Sequence, residues 1–225
     1  MILKAEKITK EFIREMKHTN RFAAVQETDF TLESGTFAIL TGRSGSGKST
    51  FLNMLSGLML PTSGNILLND TDMYTLSDKD LSRFRNQHIG VIPQGQTALH
   101  SLNVLENISL PYTLYGEDAP EQEAVHLMEQ LGIADLQKAM PSELSGGELR
   151  RMAIARAFLR KPEIILADEP TSDLDDENTE IVFTFLQEAA RAGAAVLAVT
   201  HETDAAQYAD RLFRMDAGVL TEQFI

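Results

Sequence analysis

The sequence predicts an α/β fold: a sheet whose strands are buried on both faces, covered by helices and interrupted by a helical insert. Three observations predict it. The apolar runs Phe37–Leu40, Ile164–Ala167 and Ala195–Val199 are short, continuous and flanked by turn residues, as strands of a helix-covered parallel sheet are. Helical patterns alternate with these runs. The stretch from about residue 95 to 160 reads as mostly helical. At 225 residues the chain is long enough for one large domain, or a domain plus a subdomain, around a sizeable core.

The elements follow in order. Ile2–Thr9, Phe30–Leu32 and Asn65–Leu68 alternate as strands do, and Pro61–Gly64 is a turn. Lys48–Leu60 has amphipathic helical spacing, and Ile89–Pro93 reads as a strand. Asn103 and Glu106 have capping-box spacing, Ala119–Leu131 is helical, and Gly132 sits where that helix would end. Ser145 and Glu148 form a second capping-box pattern, and the helix through Arg151–Arg160 stops before Pro162. The acids Asp173, Asp175, Asp176, Glu177 and Glu180 read as the solvated start of a further helix, where negative charge suits the dipole.

Composition narrows the function. Hydrophobic residues at 43% and charged residues at 24% exclude a disordered, collagenous or rod-like chain. A net charge of −13 opposes both nucleic-acid binding and charge-driven adhesion to an anionic membrane. With no cysteine, the chain can form no disulfide and offer no thiolate to a substrate or metal. No apolar run approaches the roughly 20 residues that span a bilayer, and the first residues lack a signal-peptide core. The expectation is a cytoplasmic protein that does not insert into the membrane itself.

Four features carry chemistry. Gly42-Arg43-Ser44-Gly45-Ser46-Gly47-Lys48-Ser49-Thr50 lies between a buried strand and a helix and fits the phosphate-loop pattern. Its glycines let backbone N–H groups turn inward on phosphate oxygens, and the helix N-terminus adds partial positive charge. Lys48 supplies a point charge, and the Ser49 hydroxyl can bind Mg²⁺. Asp168 and Glu169 end a strand that would not carry carboxylates inward without a partner. Beside a phosphate loop, Asp168 is read as holding Mg²⁺ through water and Glu169 as a general base. Ser145, Gly146, Gly147 and Glu148 open a helix with two unshielded amides, a second anion-binding terminus. Two γ-phosphate sites on one chain resolve if two molecules pack head to tail. Gln94 and His201 each follow an apolar strand, where ligands gather in open α/β sheets.

In this order the residues resemble the ATP-binding-cassette (ABC) ATPases over essentially the whole chain. The matching motifs are the phosphate loop Gly42–Thr50, the glutamine loop at Gln94, the signature Leu144–Glu148 (LSGGE), the Asp168–Glu169 strand end, the D-loop Ser172–Asp175 and the switch histidine His201. The resemblance implies the ABC ATPase fold, a P-loop core of mixed sheet with an antiparallel portion and an inserted helical subdomain. It divides the chain into a nucleotide-binding core, 1–94 and 162–225, and a helical subdomain, 95–161. It further implies ATP and Mg²⁺, with Ser49, Gln94 and Asp168 at the metal, and an aromatic on adenine, Phe12 or alternatively Phe22. The implied partners are a second copy, joined in an ATP-dependent homodimer, and integral-membrane permease subunits that hold the ATPase at the inner face of the membrane.

Segments Ile89–Gln94, Leu105–Ile108 and Pro141–Glu148 resemble the branch of lipoprotein-release, macrolide-export, peptide-resistance and cell-division ATPases. Two positions depart from the common pattern: Asp173 adds an acid to the D-loop Ser172-Asp173-Leu174-Asp175, and Glu148 stands where many members have Gln. A regulatory or scaffold ATPase that signals without transport is the alternative reading. A GTPase is excluded by the lack of an N-K-x-D motif, and a chromosome ATPase by the lack of a long coiled-coil insert.

Overall fold

A computed structural model describes residues 2–14, 20–172, 174–202 and 204–223. Two sheets flank one buried helix. The larger has six strands in the order β10-β9-β3-β8-β7-β6. These are β3 (Phe37–Thr41), β6 (Ile89–Ile92), β7 (Ile164–Asp168), β8 (Ala195–Val199), β9 (Arg211–Asp216) and β10 (Val219–Gln223). Neighbouring strands from β6 to β9 run parallel, and β10 closes the edge antiparallel, so the sheet is mixed. The predicted runs form β3, β7 and β8, all of whose apolar residues are buried.

The smaller sheet is antiparallel, in the order β2-β1-β4-β5. Its long hairpin joins β1 (Ile2–Arg14) to β2 (Asn20–Glu33), and β4 (Ser63–Leu68) and the short β5 (Thr71–Asp72) follow. Between the sheets lies α1 (Lys48–Leu55), with Phe51, Leu52, Met54 and Leu55 all buried. Phe51 meets Phe30 edge-on at 5.3 Å, and Phe30 meets Phe213 at 5.2 Å, so one aromatic column joins helix and both sheets. The helix ends five residues before the predicted Leu60. Gly57 takes φ 72°, a left-handed stop, and the N–H groups of Leu58 and Met59 turn back to the Asn53 carbonyl.

The opposite face of the large sheet carries α3 (Val104–Thr113), α4 (Glu121–Gln130), α5 (Gly146–Phe158) and α6 (Asp176–Arg191). These helices share one apolar cluster with the sheet: Ile108, Leu127, Met152 and Phe183 pack with Phe37, Ile165 and Val196. Both predicted capping boxes form, Asn103 with Glu106 on α3 and Ser145 with Glu148 on α5. The buried Asn107 amide donates to the Leu99, Leu102 and Asn103 carbonyls and accepts from the Leu99 N–H, which folds the loop before α3. Asp175 caps α6, and its bonds to the Asn178 backbone and side-chain nitrogens hold its carboxyl below the ordinary range.

The sequence reading passed over helix α2 (Asp78–His88), the two-residue β5 and strands β9 and β10. Helix α2 buries only Leu81, so its polar surface gives little periodic signal. Strands β9 and β10 form a hairpin around Ala217 and Gly218, both at positive φ, a two-residue turn that Ala-Gly announces more weakly than Asn-Gly.

Candidate functional site

Strand register brings the predicted residues together. Ile92, Ala167, Ala198 and Ile39 form one row across β6, β7, β8 and β3. Just beyond that row the chain leaves each strand at the same sheet edge: Gln94 after β6, Asp168 and Glu169 at the end of β7, His201 after β8, and the phosphate loop after β3. A cleft of about 610 Å³ lies there, lined by Gly42, Ser44, Gly45, Gly47, Lys48, Ser49, Thr50, Gln94, Asp168, Glu169, Ser172 and His201. The β1–β2 hairpin closes its far side with Phe12, Phe22 and Ala24. Both candidate aromatics stand there, stacked at 5.8 Å between ring centroids.

Two loop glycines have no substitute. Gly42 has φ 153°, and a Cβ there would lie 2.3 Å from the Met215 carbonyl oxygen. Gly47 has φ 110°, and a Cβ there would lie 2.1 Å from the Ala24 carbonyl oxygen. The loop is thus seated against the backbones of β9 and β2, and the Gly218 N–H donates to the Ser46 carbonyl at 2.9 Å. Lys48 is 9% exposed, and its ammonium donates to the Gly42 and Arg43 carbonyls at 2.8 and 3.2 Å, which fixes the cation in the curl of the loop. In Gly47→Ala the loop has to leave this seat. We expect nucleotide affinity to fall at least about 100-fold, on the order of 2.7 kcal/mol, in a titration with a fluorescent nucleotide.

The two acids have different surroundings. Asp168 is 6% exposed, and its Oδ1 is buried with no hydrogen-bond partner. A lone buried carboxylate oxygen beside a serine hydroxyl and a phosphate cradle fits Mg²⁺, which takes one or two carboxylates, substrate phosphates and water. Among the described residues no cluster of three or more His, Cys, Asp or Glu could hold a metal ion, so a site filled partly by nucleotide oxygens suits this chain better than an all-protein cage. Glu169 extends into the same cleft, and its Oε2 lies 2.9 Å from His201 Nδ1.

Ser145, Gly146, Gly147 and Glu148 line no part of this cleft. They open α5, with Ser145 and Gly146 exposed. The Glu148 carboxylate accepts from the Ser145 hydroxyl and the Ser145 N–H, both at 2.7 Å, and these bonds hold its carboxyl below the ordinary range. The first-turn amides of Gly146 and Gly147 then remain available to an anion from outside the chain. Of the D-loop, Ser172 lines the cleft, Leu174 packs near Gly147, Asp175 caps α6, and Asp173 lies outside the described residues. Arg43 does not line the cleft, and its carbonyl accepts from the Lys48 ammonium.

Sequence reasoning missed Ala24, whose carbonyl backs the phosphate loop, and Arg150, which joins two loops of the site. Arg150 is a charged residue inside the helical pattern after the signature. Its place one turn before the apolar Ala153 and Ile154, on the face they continue, is the signal that could have singled it out.

A phosphate loop on a helix N-terminus, with an acid pair on the neighbouring strand but one, defines a P-loop nucleoside triphosphatase. Residues 25–172 match the ABC transporter family, and the chain belongs to it. It is an ATP-binding, ATP-hydrolysing subunit of that family. Among curated proteins it is 40% identical over 206 residues to the lipoprotein-releasing system ATP-binding protein LolD of Anaplasma marginale, covering 90% of this chain and 92% of that one. It is 39% identical over 194 residues to an uncharacterized ABC transporter ATP-binding protein of Mycobacterium tuberculosis, covering 85% and 78%. Among solved structures, the dimeric bacterial ABC transporter cassette MJ0796 superposes with a TM-score of 0.90 at 29% identity, over 99% of this chain and 100% of that one. A second dimeric structure of that cassette, in a post-hydrolysis state with ADP and Pi, gives the same TM-score at 28% identity.

Proposed function

We propose that the chain works as a Mg·ATP-dependent homodimer that drives a transporter through separate permease subunits in the membrane. One observation carries the reading: the phosphate loop, Gln94, Asp168, Glu169, Ser172 and His201 line one cleft, while the LSGGE helix terminus lies exposed outside it. In each site, Lys48 and the amides of Gly45 to Thr50 hold the phosphates, and Phe12 or Phe22 stacks on the base. Ser49, Gln94 and Asp168, the last through water, would hold Mg²⁺, which on binding neutralises part of the phosphate charge. Glu169 takes a proton from the attacking water, and His201 steadies the terminal phosphate. Ser145 and Gly147 of a second copy close the pocket from across the seam. Catalysis on this account is positioning and charge stabilisation.

Residues 1–94 and 162–225 serve as the nucleotide core, and 95–161, entered through Gln94, as the part that faces the permease. No described helix is long and apolar enough to cross a membrane. On this reading the permease subunits hold the ATPase at the inner face of the membrane. The LolD relatives point to lipoprotein release as the transported class, with its recognition in the permease.

The test is ATP hydrolysis by the purified chain across protein concentrations. Turnover per chain should rise with concentration toward a plateau, because each site needs two molecules. EDTA should remove it, and Mg²⁺ in excess should restore it. Turnover per chain that stays constant down to concentrations where the protein is monomeric would refute the composite site.

A further inference from the structure

The turn that carries Glu169 has a backbone conformation its own residues disfavour. Glu169 has φ 51°, left-handed for a residue with a Cβ. It also precedes Pro170, whose ring crowds the residue before it. Such a conformation persists only where the surroundings over-determine it. Three restraints are local to this edge of the sheet. The Glu169 N–H donates to the Val199 carbonyl at 2.8 Å, and the Ser172 N–H donates to the Glu169 carbonyl at 3.2 Å. The Thr171 hydroxyl donates to the Glu202 carboxylate at 2.6 Å.

The fourth restraint comes from another element. Arg150, 6% exposed on α5, donates from its guanidinium to the Ser172 hydroxyl oxygen. Another nitrogen of the same group donates to the Pro93 carbonyl at 2.7 Å, the residue just before Gln94. Pro93 follows β6 and Ser172 follows β7, and Arg150 is rooted two residues beyond Glu148. A guanidinium is a rigid planar fork, so fixing one arm directs the other. Farther along α5, Arg156 donates to the Thr97 carbonyl and hydroxyl, so the Gln94 loop is gripped by this one helix on both sides. Arg150 does not line the cleft.

We infer that Arg150 is a positioning residue for hydrolysis. Through Ser172 it holds the Glu169 turn, and through Pro93 it holds the entry to the Gln94 loop, both in register with the signature helix. The inference rests on the roles proposed above for Glu169 and Gln94.

The test uses the purified full chain. Arg150→Met keeps length and burial and removes the fork. Its turnover number should fall about tenfold or more, equivalent to roughly 1.4 kcal/mol in the barrier, with the affinity of a single chain for a fluorescent ATP analogue kept within about twofold. Arg150→Lys keeps the charge without the planar fork and should recover little of the loss. Ser172→Ala should lower turnover, and Arg150→Met should cost less on that background than alone, because the two share one contact. If Arg150→Met does not fold, Arg150→Lys and Ser172→Ala carry the same split between turnover and affinity. The inference is overturned if folded Arg150→Met turns over within about twofold of the parent, if affinity falls as far as turnover, or if the two substitutions are strictly additive. No hydrolysis by the unsubstituted chain would overturn the proposed function instead.

Discussion

Replacing Glu169 by Gln should leave a protein that binds ATP, dimerises around it and almost never cleaves it. Amide and carboxylate have nearly the same shape, so the hydrogen bond toward His201 Nδ1, now 2.9 Å from Glu169 Oε2, can survive the exchange. What disappears is the group that accepts a proton. General-base catalysis contributes about 10²–10⁴-fold, so turnover should fall by at least about 100-fold. Affinity should hold or tighten, because the phosphate loop, Lys48 and Asp168 are untouched and one negative charge has left a polyanion site. With hydrolysis blocked, the ATP-bound dimer should accumulate. Light scattering after size exclusion, with ATP and without it, reads the dimer, and phosphate release reads the turnover. Turnover within about tenfold of the parent would remove Glu169 from the role of base, because a charge-stabilising acid costs far less to neutralise.

Much of this site is legible in the sequence because buried parallel strands leave short, continuous apolar runs and the chemistry follows directly after them. Phe37–Leu40, Ile164–Ala167 and Ala195–Val199 each announce a strand, and each is followed within two residues by a cleft residue. The exposed helix terminus at Ser145 was equally legible, since a cap followed by two glycines is poor helix chemistry unless the amides have another use. Less legible was everything set by contact across long separations. That Gly47 must be glycine because of the Ala24 carbonyl is invisible without knowing that β2 passes behind the loop. The role of Arg150 depends on Pro93 and Ser172, 57 and 22 residues away. That Phe12 and Phe22 both line the cleft is hidden for a similar reason: antiparallel register sets them opposite each other across the β1–β2 hairpin.

The composite pocket makes a sharper demand than any single-residue role. Gly147→Asp should abolish hydrolysis while a single chain still binds ATP normally. The position accepts a side chain: Gly147 has no left-handed φ, and a Cβ there would meet the end of the Leu174 side chain at 3.0 Å, which has to give slightly, and an Arg151 guanidinium nitrogen at 3.6 Å. The fold should therefore persist. The added carboxylate, however, stands at the helix terminus where a partner's γ-phosphate would sit, and like charges there replace a favourable dipole by repulsion. Turnover should fall at least about 100-fold, with single-chain affinity within about twofold of the parent, because Gly147 lies outside its own chain's cleft. Lys48→Ala should show the opposite pattern and lose affinity directly. Mixing the two variants gives the decisive arm. In a mixed dimer, one pocket joins the intact phosphate loop of the Gly147→Asp chain to the intact signature of the Lys48→Ala chain, and the other pocket holds both defects. With random pairing and independent pockets, activity should return to about a quarter of the parent's in a symmetric two-fold assembly. A pocket built from one chain gives no recovery on mixing, and it predicts that Gly147→Asp weakens ATP binding by the isolated chain.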